Sequence, residues 1–390
     1  MRCASWFTAC LVLSVGGVAS AIQLEMVPVS SGAVTMPRLS KMVPARPVVE
    51  GMQGQKLFCS FGHHDNWRMW SELAVDPPVG TGFSGSSQWV GIGPTDLFVG
   101  GTVRKVPWNV TDFPVRRYNG FRWSQVWLLL DPTPTTEVRC VHDLAHGDAT
   151  GRKLYAFGWE RRPQSEAAMW ASNNAGADWH RILRMELGGQ EWAWGDCANA
   201  DGIVYGHTDK GLIRLAPDGT CSVKRFPSAH HAVLSLAAPN QHEVTLVVVE
   251  PAPAKTQGGI YGPPPTPLVH VHYSDTSMAS WTELVTLFGA PQAAEFLGKV
   301  VGVVAFATEQ PRPGARLLYT KDACQSWQED FLPGARVAGI KIVNSAEMYL
   351  LLHSLDTGRL FYAKWKPAWE PARLHIMTPQ PTGGVFKKVE

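Results

Sequence analysis

Ser172-Asn173-Asn174-Ala175-Gly176-Ala177-Asp178-Trp179, followed by His180-Arg181-Ile182, carries the clearest local pattern in the chain. A hydroxyl, a short amide two residues on, a glycine two further and a tryptophan three later describe a turn with its own chemistry. Ser, Asn and Asp side chains bond backbone groups inside such turns. Gly176 supplies a positive φ at little steric cost. Trp179 opens the returning strand and lays its ring against a neighbouring sheet.

The chain echoes this stretch. Thr320-Lys321-Asp322-Ala323-Cys324-Gln325-Ser326-Trp327 keeps the hydroxyl, the Asp and the Trp, with Cys in the glycine place. Ser274 and Trp281 keep the ends of a third copy, with Thr276 and Met278 between. Asp65 and Trp70 stand in a fourth, where His63 replaces the hydroxyl. Trp281 and Trp327 are 46 residues apart (281 to 327). The intervals 70 to 179 and 179 to 281 are each about twice a propeller-blade repeat of about 40–55 residues, so degenerate units belong in both gaps. Short runs of Val, Leu, Ile, Phe, Tyr and Trp alternate with turn clusters, and helical periodicity is nearly absent. Gly 37 and Pro 29 in 390 residues fit frequent turns.

The quoted stretches resemble the Asp-box, or BNR repeat, of sialidase-like β-propellers, written Ser/Thr-x-Asp-x-Gly-x-x-Trp. The resemblance implies an all-β propeller of four-stranded antiparallel blades. Outer strands fall near Trp70, Trp123 or Trp127, Trp179, Val223, Trp281, Trp327 and Trp369, which gives seven blades, with six as the alternative because inner strands between 22 and 54 are poorly defined. Residues 385–389 are a candidate closing strand. Residues 1–21 read as a signal peptide, with Arg2, a short apolar run and Ala19-Ser20-Ala21 as cleavage site. Residues 22–50 are expected as an extended lead-in and 51–390 as a single propeller domain. The Pro/Gly-rich 251–267 reads as a long loop between the second and third strands of one unit.

A formal charge of +2 with 17% charged residues gives no electrostatic case for nucleic acid. No segment after the signal is apolar enough for a transmembrane span. The expected location is the secretory pathway, secreted or held at the cell surface by a partner. Asn109-Val110-Thr111 is a glycosylation sequon at Asn109. The cysteines outside the signal segment are Cys59, Cys140, Cys197, Cys221 and Cys324. Cys197 with Cys221, or Cys140 with Cys197, are candidate bridges, and the odd count leaves one thiol over. No zinc spacing is read, so no metal or cofactor is expected.

The superfamily implied by the resemblance spans sialidases and other glycoside hydrolases, sortilin-type receptors, photosystem assembly factors and adhesion proteins. Its Asp-box turns lie on the outer blade edge, away from the channel. A sialidase site would hold three arginines, an acid/base Asp, and a Tyr activated by Glu. The family's Phe/Tyr-Arg-Ile-Pro segment has only Met36-Pro37-Arg38-Leu39 as counterpart, and Tyr273 and Tyr319 are expected on outer strands. Polar residues nearer the inner strands are Arg139, His142 and Asp143, with Trp192, Trp194 and Asp196 in the next unit. These could line a channel mouth and bind a sugar or peptide, or serve as a hydrogen-bond network without a ligand. The expected function is a non-catalytic recognition or adhesion module in an extracellular complex, binding a protein or glycan. A divergent sialidase-like glycoside hydrolase is the alternative, and oligomeric state is left open.

Overall fold

The computed structural model describes residues 24–30, 32–39, 48–53, 56–63, 66–73, 88–93, 96–100, 103–105, 110–112, 115–118, 123–127, 138–146, 152–161, 165–186, 194–198, 202–207, 211–225, 232–250, 266–309 and 312–367. Between residues 35 and 146, and over 158–167 and 184–198, it describes the backbone alone.

All regular structure among these residues is strand. The strands form seven four-stranded antiparallel sheets and one two-stranded sheet. The first sheet takes Thr35–Leu39, Val48–Gln53, Lys56–His63 and Asn66–Leu73. The second takes Gln88–Gly93, Asp96–Gly100, Val115–Tyr118 and Trp123–Trp127. Between its second and third strands lies the small pair Val103–Lys105 and Val110–Asp112. Val138–His146, Leu154–Arg161, Ser165–Ser172 and His180–Glu186 make the third. Trp194–Ala198, Val204–His207, Gly211–Leu215 and Cys221–Arg225 make the fourth. The fifth comprises Ala232–Ala237, Val244–Glu250, Leu268–Ser274 and Thr282–Phe288. The sixth comprises Ala290–Leu297, Val301–Thr308, Gly314–Thr320 and Gln328–Pro333. The seventh runs Ala335–Asn344, Glu347–Ser354 and Leu360–Trp365, with Leu24–Pro28 as its outer strand.

From the second sheet to the seventh, successive sheets touch through their inner strands; Val48–Gln53 of the first touches Gln88–Gly93 of the second, and Thr35–Leu39 touches Ala335–Asn344, so the contacts run full circle. Four-stranded sheets arranged radially in a closed ring are a β-propeller. Burial explains the sequence pattern inside each sheet. Second strands lie between two neighbours and are buried over most of their length, as the largely apolar Val244–Glu250 and Val301–Thr308 are. Fourth strands meet solvent on one side, and Gln328–Pro333 accordingly alternates buried and exposed positions. Between sheets six and seven, Glu295 Oε1 pairs with Lys341 Nζ at 2.8 Å and Oε2 accepts the Ile342 N–H at 2.7 Å. Gln292 Oε1 accepts the Val337 N–H at 2.9 Å across the same boundary.

Closure corrects one sequence expectation. The outer strand of the last unit is not the segment after Trp369 but Leu24–Pro28, which pairs antiparallel with Leu360–Trp365. Residues 369 and 385–389 lie outside the described residues, and 22–50, expected as a lead-in, carries strands of two sheets. The segment after the N-terminal strand is anchored as firmly. Val29 and Val34 are buried, their N–H groups donate to Leu360 and Gly358 carbonyls, and Ser30 Oγ accepts the Leu360 N–H at 3.0 Å. Cys221 and Cys324 are free thiols, which removes the first of the two candidate bridges, Cys197–Cys221.

Three turns between third and fourth strands share one hydrogen-bond scheme. Ser172 Oγ accepts the Gly176 N–H at 2.9 Å, Ser274 Oγ the Met278 N–H at 3.0 Å, and Thr320 Oγ1 the Cys324 N–H at 3.1 Å. Asn174 Oδ1, Thr276 Oγ1 and Asp322 Oδ1 each accept the N–H four residues on, at 2.9 Å. Thr276 thus does the work of the Asn and the Asp. The glycine place is left-handed in all three, with φ 83 at Gly176, 70 at Met278 and 67 at Cys324. Met278 and Cys324 tolerate that conformation because their side chains are buried between sheets, Met278 between the fourth and fifth and Cys324 between the fifth and sixth. A left-handed residue with a Cβ costs about 1–2 kcal/mol, and losing a buried Met side chain costs about 2–5. Met278→Gly should therefore destabilise by about 1–3 kcal/mol despite relieving the backbone, read as a lowered urea midpoint at unchanged slope.

The stretch at Asp65 and Trp70 departs from this scheme. His63 pairs with Asn66, so the returning strand starts at once, and Trp70 lies inside it opposite Ser60. Asp65 lies outside the described residues.

Candidate functional site

The three turns fix which end of the ring is which. Their backbone N–H groups donate to the connection between the first and second strands of the same sheet: Ala175 to Arg152, Ser277 to His242 and Ala323 to Val300. The inner strands therefore begin at the opposite face. Arg139 is the second residue of Val138–His146 and Trp194 the first of Trp194–Ala198, and these two inner strands are neighbours in contact. Both candidate groups thus start at one mouth of the channel.

A feature the sequence did not announce runs round this inner ring. Every first strand shifts register against its second strand, between Thr35 and Arg38, Gly91 and Gly93, Val141 and Asp143, Gly195 and Cys197, Val233 and Ser235, Pro291 and Ala293, and Val337 and Gly339. Such bulges bend a strand and re-aim a side chain. His142 and Asp196 are the bulged residues of the third and fourth sheets, and Asp143 follows at once, opposite Phe157. Trp192 and Asn109 lie outside the described residues. Arg38 and Arg336 also occupy inner strands, in the adjoining first and seventh sheets.

Two Tyr–Glu pairs occur among the described side chains. Tyr273 donates to Glu243 at 2.8 Å, and Tyr349 donates to Glu347 at 2.6 Å. Burial, reinforced by the Glu243 carboxylate, pushes the Tyr273 phenol up to about 12, and burial raises Tyr349 further. Tyr273 ends its strand at the face bearing the three turns, away from the mouth.

A second polar group, missed in the sequence, sits on the outer half of the fifth sheet. His270 and His272 are two apart on Leu268–Ser274, so both rings stand on one side of the strand. The rings stack with centroids 6.0 Å apart. The fourth strand skips Leu284 in the pairing, which sets Glu283 opposite His272 and Thr286 opposite His270. His270 Nδ1 lies 3.4 Å from Glu283 Oε1 and 3.0 Å from Thr286 Oγ1, while its Nε2 lies 3.2 Å from Glu250 Oε2. Thr286 also donates to Glu283. Burial favours the neutral Glu283 carboxyl, but the Thr286 and His270 hydrogen bonds outweigh it and hold the group below the usual carboxylate range. His272 is buried, and Glu283 faces solvent. The signal was present as His-x-His within a strand. It passed as part of an apolar run because Val269 and Val271 fill the opposite, buried face.

No protein-family model matches the chain, and no curated protein matches it. Among solved structures, it is similar to an ulvan lyase of polysaccharide lyase family PL25, at TM-score 0.53 and 10% identity over 87% of this chain and 96% of that one. It is also similar to an alpha-L-arabinanase of Penicillium chrysogenum, at TM-score 0.45 and 11% identity over 85% and 93%. Virginiamycin B lyase from Staphylococcus aureus aligns at TM-score 0.45 and 11% identity over 89% and 100%. The neighbours are β-propellers. At these identities the likeness concerns fold and carries no chemistry.

Proposed function

We propose that this chain is a secreted recognition propeller, each four-stranded sheet a blade and seven in all, with the three turns as its Asp boxes. Its ligand site is the channel mouth where the third and fourth blades begin, and its ligand is a glycan. The observation that carries this reading is the placement of Arg139, His142 and Asp143 beside Trp194 and Asp196 on neighbouring inner strands, with His142 and Asp196 at the bulges. Arginine and carboxylates bond sugar hydroxyls and acidic substituents through charge-assisted hydrogen bonds. An indole offers an apolar body with one polar edge, suited to a sugar face.

A glycan array probed with the purified chain should yield a bound class. Arg139→Ala and Asp196→Asn should then weaken that class about tenfold or more by calorimetry, the scale of one lost charged hydrogen bond of about 1.5–3 kcal/mol. An array at background, or variants that bind as tightly as the parent, would sink the proposal. The hydrolase alternative draws on the same His and Asp residues, which suit acid/base chemistry. Tyr273, which donates to Glu243, ends its strand at the face of the three turns and so lies away from the mouth, which weighs against it as a nucleophile there. Turnover of a fluorogenic sialoside that is lost in Asp143→Asn would decide for the hydrolase.

A further inference from the structure

We propose that His270, His272 and Glu283 form a binding site for one divalent transition-metal ion of the zinc class, on the outer two strands of the fifth sheet. Their ligand atoms lie within 4.8 Å of one another. Zinc bonds nitrogen and oxygen at about 2.0–2.2 Å, so ligand atoms in a tetrahedral site stand about 3.3–3.5 Å apart. His270 Nδ1 and Glu283 Oε1 already stand at 3.4 Å. Binding would draw the three ligand atoms from within 4.8 Å of one another to that spacing, on a strand that holds both imidazoles on one side.

The surroundings are those of a metal site rather than of a surface ion pair. With Nδ1 turned to the ion, His270 presents Nε2 to Glu250 Oε2 at 3.2 Å. A carboxylate behind a ligating imidazole fixes its tautomer and raises its basicity. Thr286 donates to Glu283 and thereby orients the third ligand. Two imidazoles with one carboxylate favour zinc and its neighbours over calcium or magnesium, which take oxygen donors. Three protein ligands leave a fourth position for water or for a group on a partner. An ion here would also clasp the third strand to the fourth, at the sheet edge farthest from the channel. It would act independently of the proposed glycan site.

The test uses the purified full chain, stripped with chelator and titrated with zinc chloride by calorimetry. One saturable equivalent is expected, and cobalt(II) should give the visible absorption of a four-coordinate ion. His270→Gln and Glu283→Gln should each raise the zinc dissociation constant at least about tenfold. Glu250→Gln, behind the ligand, should raise it by about 10- to 100-fold. His272 is 5% exposed, and its replacement risks the fold, so His270 and Glu283, the two more accessible ligands, are the ones to replace. Absence of saturable zinc binding overturns the proposal. Unchanged zinc affinity in His270→Gln and Glu283→Gln overturns it equally, because other histidines would then hold the ion.

Discussion

A variant lacking residues 24–34 is expected to lose its cooperative unfolding transition and to associate into oligomers at micromolar concentration. Those residues supply the outer strand of the seventh sheet, paired over five positions with Leu360–Trp365. They also bury Val29 and Val34, each worth about 1.5–3 kcal/mol, and bring the Ser30 hydroxyl to the Leu360 N–H. The two valines alone represent about 3–6 kcal/mol, against a total stability of about 5–15 for ordinary domains. The deletion also bares the edge of Leu360–Trp365, and an unpaired edge templates pairing with another chain. Calorimetry and size-exclusion chromatography read both effects. A peptide of residues 22–36 added in trans should restore the monomer by adding back the strand. If the truncated chain stays monomeric and melts within about 2 °C of the parent, the first strand does not hold the ring closed.

Trp327→Ala should lower stability by about 3–5 kcal/mol, the range for truncating a large aromatic in a packed core. The same change at Trp179 or Trp281 should cost clearly less. All three occupy the last place of the same turn motif, yet Trp327 is 0% exposed, whereas Trp179 and Trp281 are partly open. The difference lies in the neighbouring sheet. Trp327 packs in a cluster with Val285 and Leu287 from the full-length outer strand of the fifth sheet. Trp281 looks toward the fourth sheet, whose short outer strand Cys221–Arg225 contributes nothing to the buried cluster there. Denaturant midpoints of the three variants test the ranking, and equal losses would refute it.

Much of the architecture was legible in residues alone. A turn with a hydroxyl, a short polar acceptor and a tryptophan recurs because its hydrogen bonds are made within eight residues, as Ser172 with Gly176 and Asn174 with Asp178 illustrate. The alternation of apolar runs and turn clusters likewise follows from local strand geometry. One local reading did not hold. Asp65 and Trp70 copy the motif in letters, but the returning strand there starts at once, with His63 paired to Asn66. Cys324 and Met278, which stand in the glycine place, each fill a gap between sheets while keeping the left-handed backbone.

The candidate sites were legible to different degrees. Arg139, Asp143 and Asp196 were found because polar residues stand out beside inner-strand apolar runs. That their inner strands are neighbours and begin at one face followed only when the turns were seen docked at the other. The bulges at His142 and Asp196 left no mark in the sequence, since a bulge is a relation between two strands. His270 and His272 were visible as a pair, but Glu283 was not. It reaches them only because the fourth strand skips Leu284 in the register.

By itself, then, the sequence determined the repeated unit: its strands, its turn, its approximate length and its all-β class, all governed by interactions a few residues long. The tertiary structure decided how the ring closes, which tryptophan is sealed, and which distant polar groups meet. Those outcomes rest on contacts between residues tens to hundreds of positions apart, such as Ser30 with Leu360. The turn seen at Ser172–Trp179 recurs in three sheets, and register between strands decides which distant polar residues face one another.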